Sequence, residues 1–298
     1  MSPKTILQFL VCCPVLVVLL VAGQTAHAQN TKEAQRFLSG KSCFRCDLRY
    51  LNAAGLASKG TDLRAAYMFD INLSNSRLIG TRLESANLEM SNLERVDLSR
   101  ATLDRANLSY ASLAGATLIG SSLVNITSEQ SNFDGTDLSE ANLTGARLKG
   151  TSFIYVFAEG TNFMSADLRS TVFKNARIKR SQFLSADLQG ADFTGASLPL
   201  SDMRRANMSG ASFSGANLSY SNLTNSNLAG ANLINADLTG VNLSYADLRK
   251  ANLSGAELGS AVLEGALTCD AIFSRGGGSP TVTPCPPAPD RKSTRLNS

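Results

Sequence analysis

Two thiols three residues apart, in Cys43-Phe44-Arg45-Cys46, are where this chain's residue types and spacing could do chemistry. Such a pair can exchange disulfides, but a thioredoxin-like site sets it beside a βαβ pattern, which is absent here. It is also half of a zinc site, and no His or third nearby Cys completes a tetrahedral set. A structural disulfide is the default, with free or metal-bound thiols, a redox or metal module, as the alternative. Three residues across one chain corner is a span that an S–S bridge covers.

Other chemistry fares worse. The single His is His27, inside a segment expected to be removed, so no imidazole base or ligand remains. Without it a Ser nucleophile would need a Lys base, and no Ser has a distinguished neighbour. No catalytic residue, metal ligand or cofactor is therefore expected.

The two ends bound what needs explaining. Lys4, an apolar run from Ile6 to Val21 and Ala26-His27-Ala28 make a secretory signal peptide over residues 1–28, cleaved before Gln29. A retained anchor is the alternative, although the run is shorter than the roughly 18 residues that span a bilayer. Cleavage leaves no stable membrane span. Residues 290–298, DRKSTRLNS, break the preceding composition and look like a translated sequencing adapter. Without Lys4, Asp290, Arg291, Lys292 and Arg295, 24 basic and 23 acidic residues remain, so bulk charge names no partner. Four cysteines stay, Cys43, Cys46, Cys269 and Cys285, with three connectivities open. Export favours their pairing, and Cys285, in a Gly- and Pro-rich tail 274–289 expected to be disordered, can pair with Cys269.

What must position all of this is an internal repeat. From Leu63 to Leu263 a large apolar residue recurs every fifth position without insertion, through 41 units, failing only at Ser128 and Ala158. Calling that residue i, position i−2 is small (Ala86, Ala106, Ala206), i−1 is Asn or Asp (Asn87, Asp97, Asn217), and i+2 is often Gly (Gly115, Gly190, Gly230). A period of five suits neither a helix nor a flat strand, so each unit needs a corner. Four corners close a coil of 20 residues, with i pointing inward and small i−2 residues filling what space is left. Stacked coils then pair as parallel β at roughly 4.8 Å spacing, and the Asx side chain bonds the corner backbone.

This pattern resembles the pentapeptide-repeat family, whose unit is A(D/N)LxX. The resemblance implies an all-β fold, a right-handed quadrilateral parallel β-helix, and a class of scaffold without shared chemistry. The opening Cys43-x-x-Cys46-Asp47-Leu48 is similar to that of exported members. Members that mimic DNA carry a strongly acidic surface, which this near-neutral chain lacks.

Several expectations follow. Residues 29–60 form an N-terminal cap, with a short helix over 31–38 closing the coil end, and an irregular, bulged first coil at 52–60, where Ala53 and Ser58 replace Leu. The β-helix proper spans 61–273. Phe133, Phe153, Phe173, Phe193 and Phe213, each 20 apart, stack as an inner ladder, and Phe163 and Phe183 stack on a neighbouring face. In ITSEQ and VFAEG, Ile126 and Val156 exchange size with Ser128 and Ala158, which conserves core volume.

Function is then left to the outer surface. Between Lys149 and Arg205 the consensus small residues give way to Ile154, Tyr155, Phe157, Met164, Leu184 and Leu200, among Arg169, Lys174, Arg177, Lys179, Arg180, Arg204 and Arg205. Exposed apolar and aromatic side chains with Arg are the material of an interaction patch. Relaxed repeats are the alternative, since the basic residues fall on all four sides. Nucleic acid would want a basic stripe with interleaved aromatics on one face, so none is expected. The chain reads as an exported, non-catalytic scaffold that binds a protein or envelope component, in a bacterial periplasm or outside the cell, or in a thylakoid lumen if cyanobacterial. Its ends admit an end-to-end dimer.

Overall fold

The computed structural model describes residues 31–273. The expected signal peptide (1–28), the tail 274–289 and the segment 290–298 lie outside the described residues. Along the repeat every bridging residue pairs in parallel with the one 20 further on, from Asp47↔Tyr67 to Asp247↔Leu267. The last pairing lengthens into two short strands, β1 (Asn252–Leu253) and β2 (Ile272–Phe273), with Asn252 opposite Ile272. The molecule is a parallel β-helix solenoid with four five-residue units to each pairing interval.

Why the unit reads as it does follows from its five amide groups, all of which must find acceptors. Around Leu93, Asn92 donates back to the Ile71 carbonyl at 2.9 Å, Leu93 forward to Ser112 at 2.7 Å, and Arg95 forward to Ala114 at 3.0 Å. Val96 closes the corner onto the Leu93 carbonyl at 3.2 Å. That leaves the i+1 amide of Glu94, which donates to Oδ1 of Asn92 at 3.1 Å. The Asx at i−1 thus supplies the one acceptor that the coiled backbone does not.

The corners share one geometry. Every i+2 residue from Arg45 to Asp270 has φ between 53° and 73°, whether or not it is glycine. A left-handed third residue and an i+3 to i hydrogen bond define a type II turn. Leu200 at 61° and Tyr155 at 56° hold a conformation that costs an L-residue roughly 1–2 kcal/mol.

Leu, Phe and Ala at i and i−2 fill the interior as one continuous apolar cluster. The Phe ladder stands as expected, with centroids 5.1, 4.7, 4.7 and 4.9 Å apart from Phe133 to Phe213. Phe163 and Phe183 stack at 4.9 Å. They lie opposite the ladder rather than beside it, because Phe153 and Phe163 are two units, half a coil, apart. The two columns meet edge-on across the interior, Phe163 to Phe173 at 6.0 Å. Ile126 and Val156 are buried beside the equally buried Ser128 and Ala158, so the size exchanges sit in the core. Ser128 is satisfied there by Ser131, whose Oγ is 2.6 Å from its own.

At the N-terminal end, α1 (Lys32–Leu38) is capped by Thr31, whose side chain accepts from the Ala34 amide at 3.0 Å. It brings Ala34 and Phe37, both fully buried, into the core. Asn52↔Asn72 and Ala57↔Arg77 pair in the common register, so residues 52–60 form a regular coil without the expected bulge. Backbone pairing does not depend on the size of Ala53 or Ser58. Among the described residues no helix is long and apolar enough to cross a membrane.

Candidate functional site

The Cys pair can be placed first. Cys43 and Cys46 are bonded to each other, with Cα atoms 5.4 Å apart, and are only 1% and 7% exposed. A pair closed on itself inside the first coil offers neither thiolates to a metal nor a sulfur that a dissolved thiol can reach. The redox or metal alternative for this pair therefore fails on geometry. Cys269 is also disulfide-bonded.

The candidate surface residues separate by register. Ile154 and Tyr155 occupy one side and the corner that follows. Phe157, Arg177 and Lys179 share the next side, and Arg180 takes its far corner with Leu200. Met164, Leu184 and Arg204 form a column on the side beyond, which Arg205 ends. The set is one band wrapped around part of the rod. Tyr155, Phe157 and Leu200 are well exposed, while Ile154, Met164 and Leu184 are half-buried.

Phe157 and Arg177 form the centre of the band. They bridge each other in successive coils, and the guanidinium lies 5.4 Å from the ring centroid. Both stand at i−1, where the fold wants an acceptor for the i+1 amide. Phe has no side-chain acceptor and Arg only donors, so two consecutive coils give up the bond that Asn or Asp makes elsewhere. One coil further, Ser197 precedes Pro199 at i+1, which has no amide to satisfy. Ile154 is served differently: its amide donates to Oδ1 of Asp134, one coil below, at 2.9 Å.

Several of the cations are already engaged. Arg204 forks onto Asp202 at 2.8 and 2.6 Å, and Arg169 onto Asp167 at 2.7 and 2.5 Å. Lys174 pairs with Asp192 at 3.1 Å, and Arg180 comes within 4.0 Å of Glu159. The same fork recurs at Asp47–Arg49, Asp62–Arg64 and Asp247–Arg249. In each the Arg hydrogen bonds hold the carboxyl below its usual range, for Asp62 down to about 2. The spacing Asp-x-Arg puts both side chains outward two residues apart, and would have revealed these pairs in the sequence. Arg177, Lys179, Arg180 and Arg205 are exposed, as are the paired Lys174 and Arg204.

The family model for pentapeptide repeats matches in eight copies, over residues 59–100, 111–150, 131–169, 146–183, 186–225 and 216–255. The chain belongs to the pentapeptide-repeat family. No curated protein matched the sequence significantly. Among solved structures, this pentapeptide-repeat protein is similar to HetL from the cyanobacterium Nostoc sp. strain PCC 7120, involved in regulating heterocyst differentiation. The two share 28% identity over 78% of this chain and 94% of that one, with a TM-score of 0.32. It is also similar to QnrB1, a plasmid-mediated fluoroquinolone resistance protein, at 24% identity over 52% and 90% of the two chains, TM-score 0.41. A pentapeptide-repeat protein from the Arabidopsis thaliana thylakoid lumen shares 36% identity over 31% of this chain and 65% of its own, TM-score 0.31. The family is one of repeat scaffolds.

Proposed function

We propose that this protein is a non-catalytic, exported scaffold that binds a protein or cell-envelope component through the band from Ile154 to Arg205. The observation that carries the reading is the Phe157–Arg177 pair. A 44%-exposed ring under a guanidinium replaces two Asx residues that the coil would otherwise use to satisfy its own backbone. A local rule broken with an exposed aromatic and a cation in its place is what a binding surface looks like. Tyr155, Leu200 and Arg180 extend it on either side.

In this reading the rod is a right-handed, four-sided β-helix with α1 as the cover of its first coil. Residues 1–28 direct export and are removed. The buried Cys43–Cys46 bond and the bonded Cys269 support an oxidising compartment, a periplasm, the cell exterior or a thylakoid lumen. The partner is not a nucleic acid, since the band mixes Glu159 and Asp202 among its cations. An end-to-end dimer is compatible with a band on the rod's flank.

The test is affinity capture from the cell envelope with the mature chain, beside a variant in which Tyr155, Phe157, Met164, Arg177 and Arg180 become Ser. Specific retention by the natural surface, lost in the variant, is expected. Identical recovery by both chains would overturn the reading and leave the band as drift.

A further inference from the structure

The two ends of the rod carry opposite charge. Across α1 and the first coil, residues 31–60, six cations stand against two carboxylates, whereas residues 254–273 hold Glu257, Glu264 and Asp270 and no Lys or Arg. All six cations are exposed. Arg49 is forked onto Asp47, and the other five have no ion pair among the described residues.

Three of the five converge. Lys32, Arg36 and Lys41, with Gln35 and Ser39, line an open cleft of about 510 Å³ beside α1. Arg36 is held there by one nitrogen, Nε, which donates to the Ser42 carbonyl at 2.6 Å. Its terminal nitrogens have no partner among the described residues, and a guanidinium fork suits a phosphate. Glu33, the single carboxylate of α1, is tied elsewhere, accepting from the Asp47 amide at 2.6 Å. Arg45, at the corner after Cys43, and Lys59, three units further on, stand on different sides of the same terminal coil. Beside Arg45 the Phe44 ring is 55% exposed, with the Arg45 and Arg64 guanidinium groups 5.2 and 5.6 Å from its centroid. Cations spread around a coil end share an end plane rather than a stripe, so what fits them is a flat anionic surface and not a thread.

We propose that the N-terminal end of the rod docks on an anionic phospholipid surface, with lipid phosphate in the cleft of Lys32, Arg36 and Lys41 and the Phe44 ring at the headgroup boundary. Each Lys or Arg close to such a surface strengthens binding by about fivefold, and an exposed aromatic ring is at home in the interface. The acidic C-terminal end is repelled by the same surface, which fixes the polarity of the rod. Docked upright, the rod holds the band about five coils, roughly 25 Å, from the bilayer. The contact is separate from the band and leaves it free for its partner.

Cosedimentation of the mature chain with vesicles is the test. Binding is expected to phosphatidylcholine vesicles containing about one-third phosphatidylglycerol and not to phosphatidylcholine alone, and should fall steeply as ionic strength rises from about 0.05 to about 0.5 M. Lys32→Ser with Arg36→Ser and Lys41→Ser should weaken it about a hundredfold. Since Arg36 also bonds the Ser42 carbonyl, a second variant keeps the test clear of α1: Arg45→Ser with Lys59→Ser should weaken binding about 25-fold. The band variant described above should bind vesicles as the natural chain does, so loss of the partner and loss of the membrane are separate readouts. No binding to either vesicle, equal binding to both, or undiminished binding by either cation variant would overturn the proposal. So would release from the vesicles by millimolar inorganic phosphate at constant ionic strength, which would make the cleft a site for a soluble anion.

Discussion

Residues 206–255 and 154–205 build the same coils from different rules. In the first stretch nine of the ten i−1 positions are Asn or Asp, and Ser212 is the exception. In the second only five are, and Phe157, Val172, Arg177, Gln182 and Ser197 stand in the other places. The inner columns diverge as well: Phe153, Phe163, Phe173, Phe183 and Phe193 fill the middle, whereas above Phe213 the core is mostly Leu. Bridges of equal regularity run through both. The coil therefore tolerates loss of its side-chain acceptors as long as the backbone ladder and a filled interior remain, which leaves the outer positions available to function.

Removing the interior brace should have the largest effect. Phe173 stacks on Phe153 and Phe193 at 4.7 Å each and meets Phe163 edge-on. Phe173→Ala is expected to cost about 3–5 kcal/mol, read from the shift of the urea midpoint by circular dichroism. Leu233→Ala, in the same column of the regular stretch, lacks those ring pairs. It should cost less, by roughly 0.5–1.5 kcal/mol for each aromatic pair it does not break. Equal costs would mean that the rings add nothing beyond volume.

Acid should act next, through the five Asp–Arg forks. Four of the five, at Asp47, Asp62, Asp167 and Asp202, lie outside the regular stretch, and Asp247 alone lies within it. Their carboxyls have folded pKa values depressed by the Arg hydrogen bonds, to about 2 for Asp62. A depressed carboxyl contributes stability that is fully present above its unfolded pKa, near 3.9, and is lost as pH falls through the folded value. Stability from this source should be flat from pH 7 to about 5 and decline between about 4 and 2. Solvent exposure of the arginines keeps each contribution modest. Asp202→Asn, which keeps an oxygen for the Arg204 amide, should flatten its share of that decline. An unaltered profile would show that the fork contributes no charge-dependent stability.

Much of this was legible in the sequence, for physical reasons that also mark where reading stopped. A period of five with Leu at i specifies a corner per unit and an inward side, so the Phe ladder at intervals of 20 could be read directly. The size exchange at Ile126 and Ser128 was legible for the same reason. Turn type was not, because a left-handed corner at Leu200 or Tyr155 goes against the preference of the residue and is imposed by the ladder. The bulge expected at Ala53 and Ser58 rested on side chains, whereas pairing is a backbone property. Arg204 and Arg169 read as surface cations because i−1 and i+1 were considered separately rather than as a pair. The centre of the band, Phe157 over Arg177, needed the 20-residue offset to bring it together.

The smallest effect is the most discriminating, because it moves the Asx acceptor between the two stretches. Asn217 accepts from the Ser219 amide at 2.8 Å and from its hydroxyl at 2.7 Å. Asn217→Ala should cost about 0.5–1.5 kcal/mol. Phe157 stands in the same column, three coils below, and Phe157→Asn would give the Glu159 amide the acceptor that the ring cannot supply. That variant is expected to be as stable as the natural chain or up to about 1 kcal/mol more so, and to lose capture of the partner. Stability gained as binding is lost is the signature of a residue kept for function against the interest of the fold. If Phe157→Asn instead destabilises the rod, the ring is packing rather than recognition. The contrast between the two stretches would then reduce to two ways of closing the same coil.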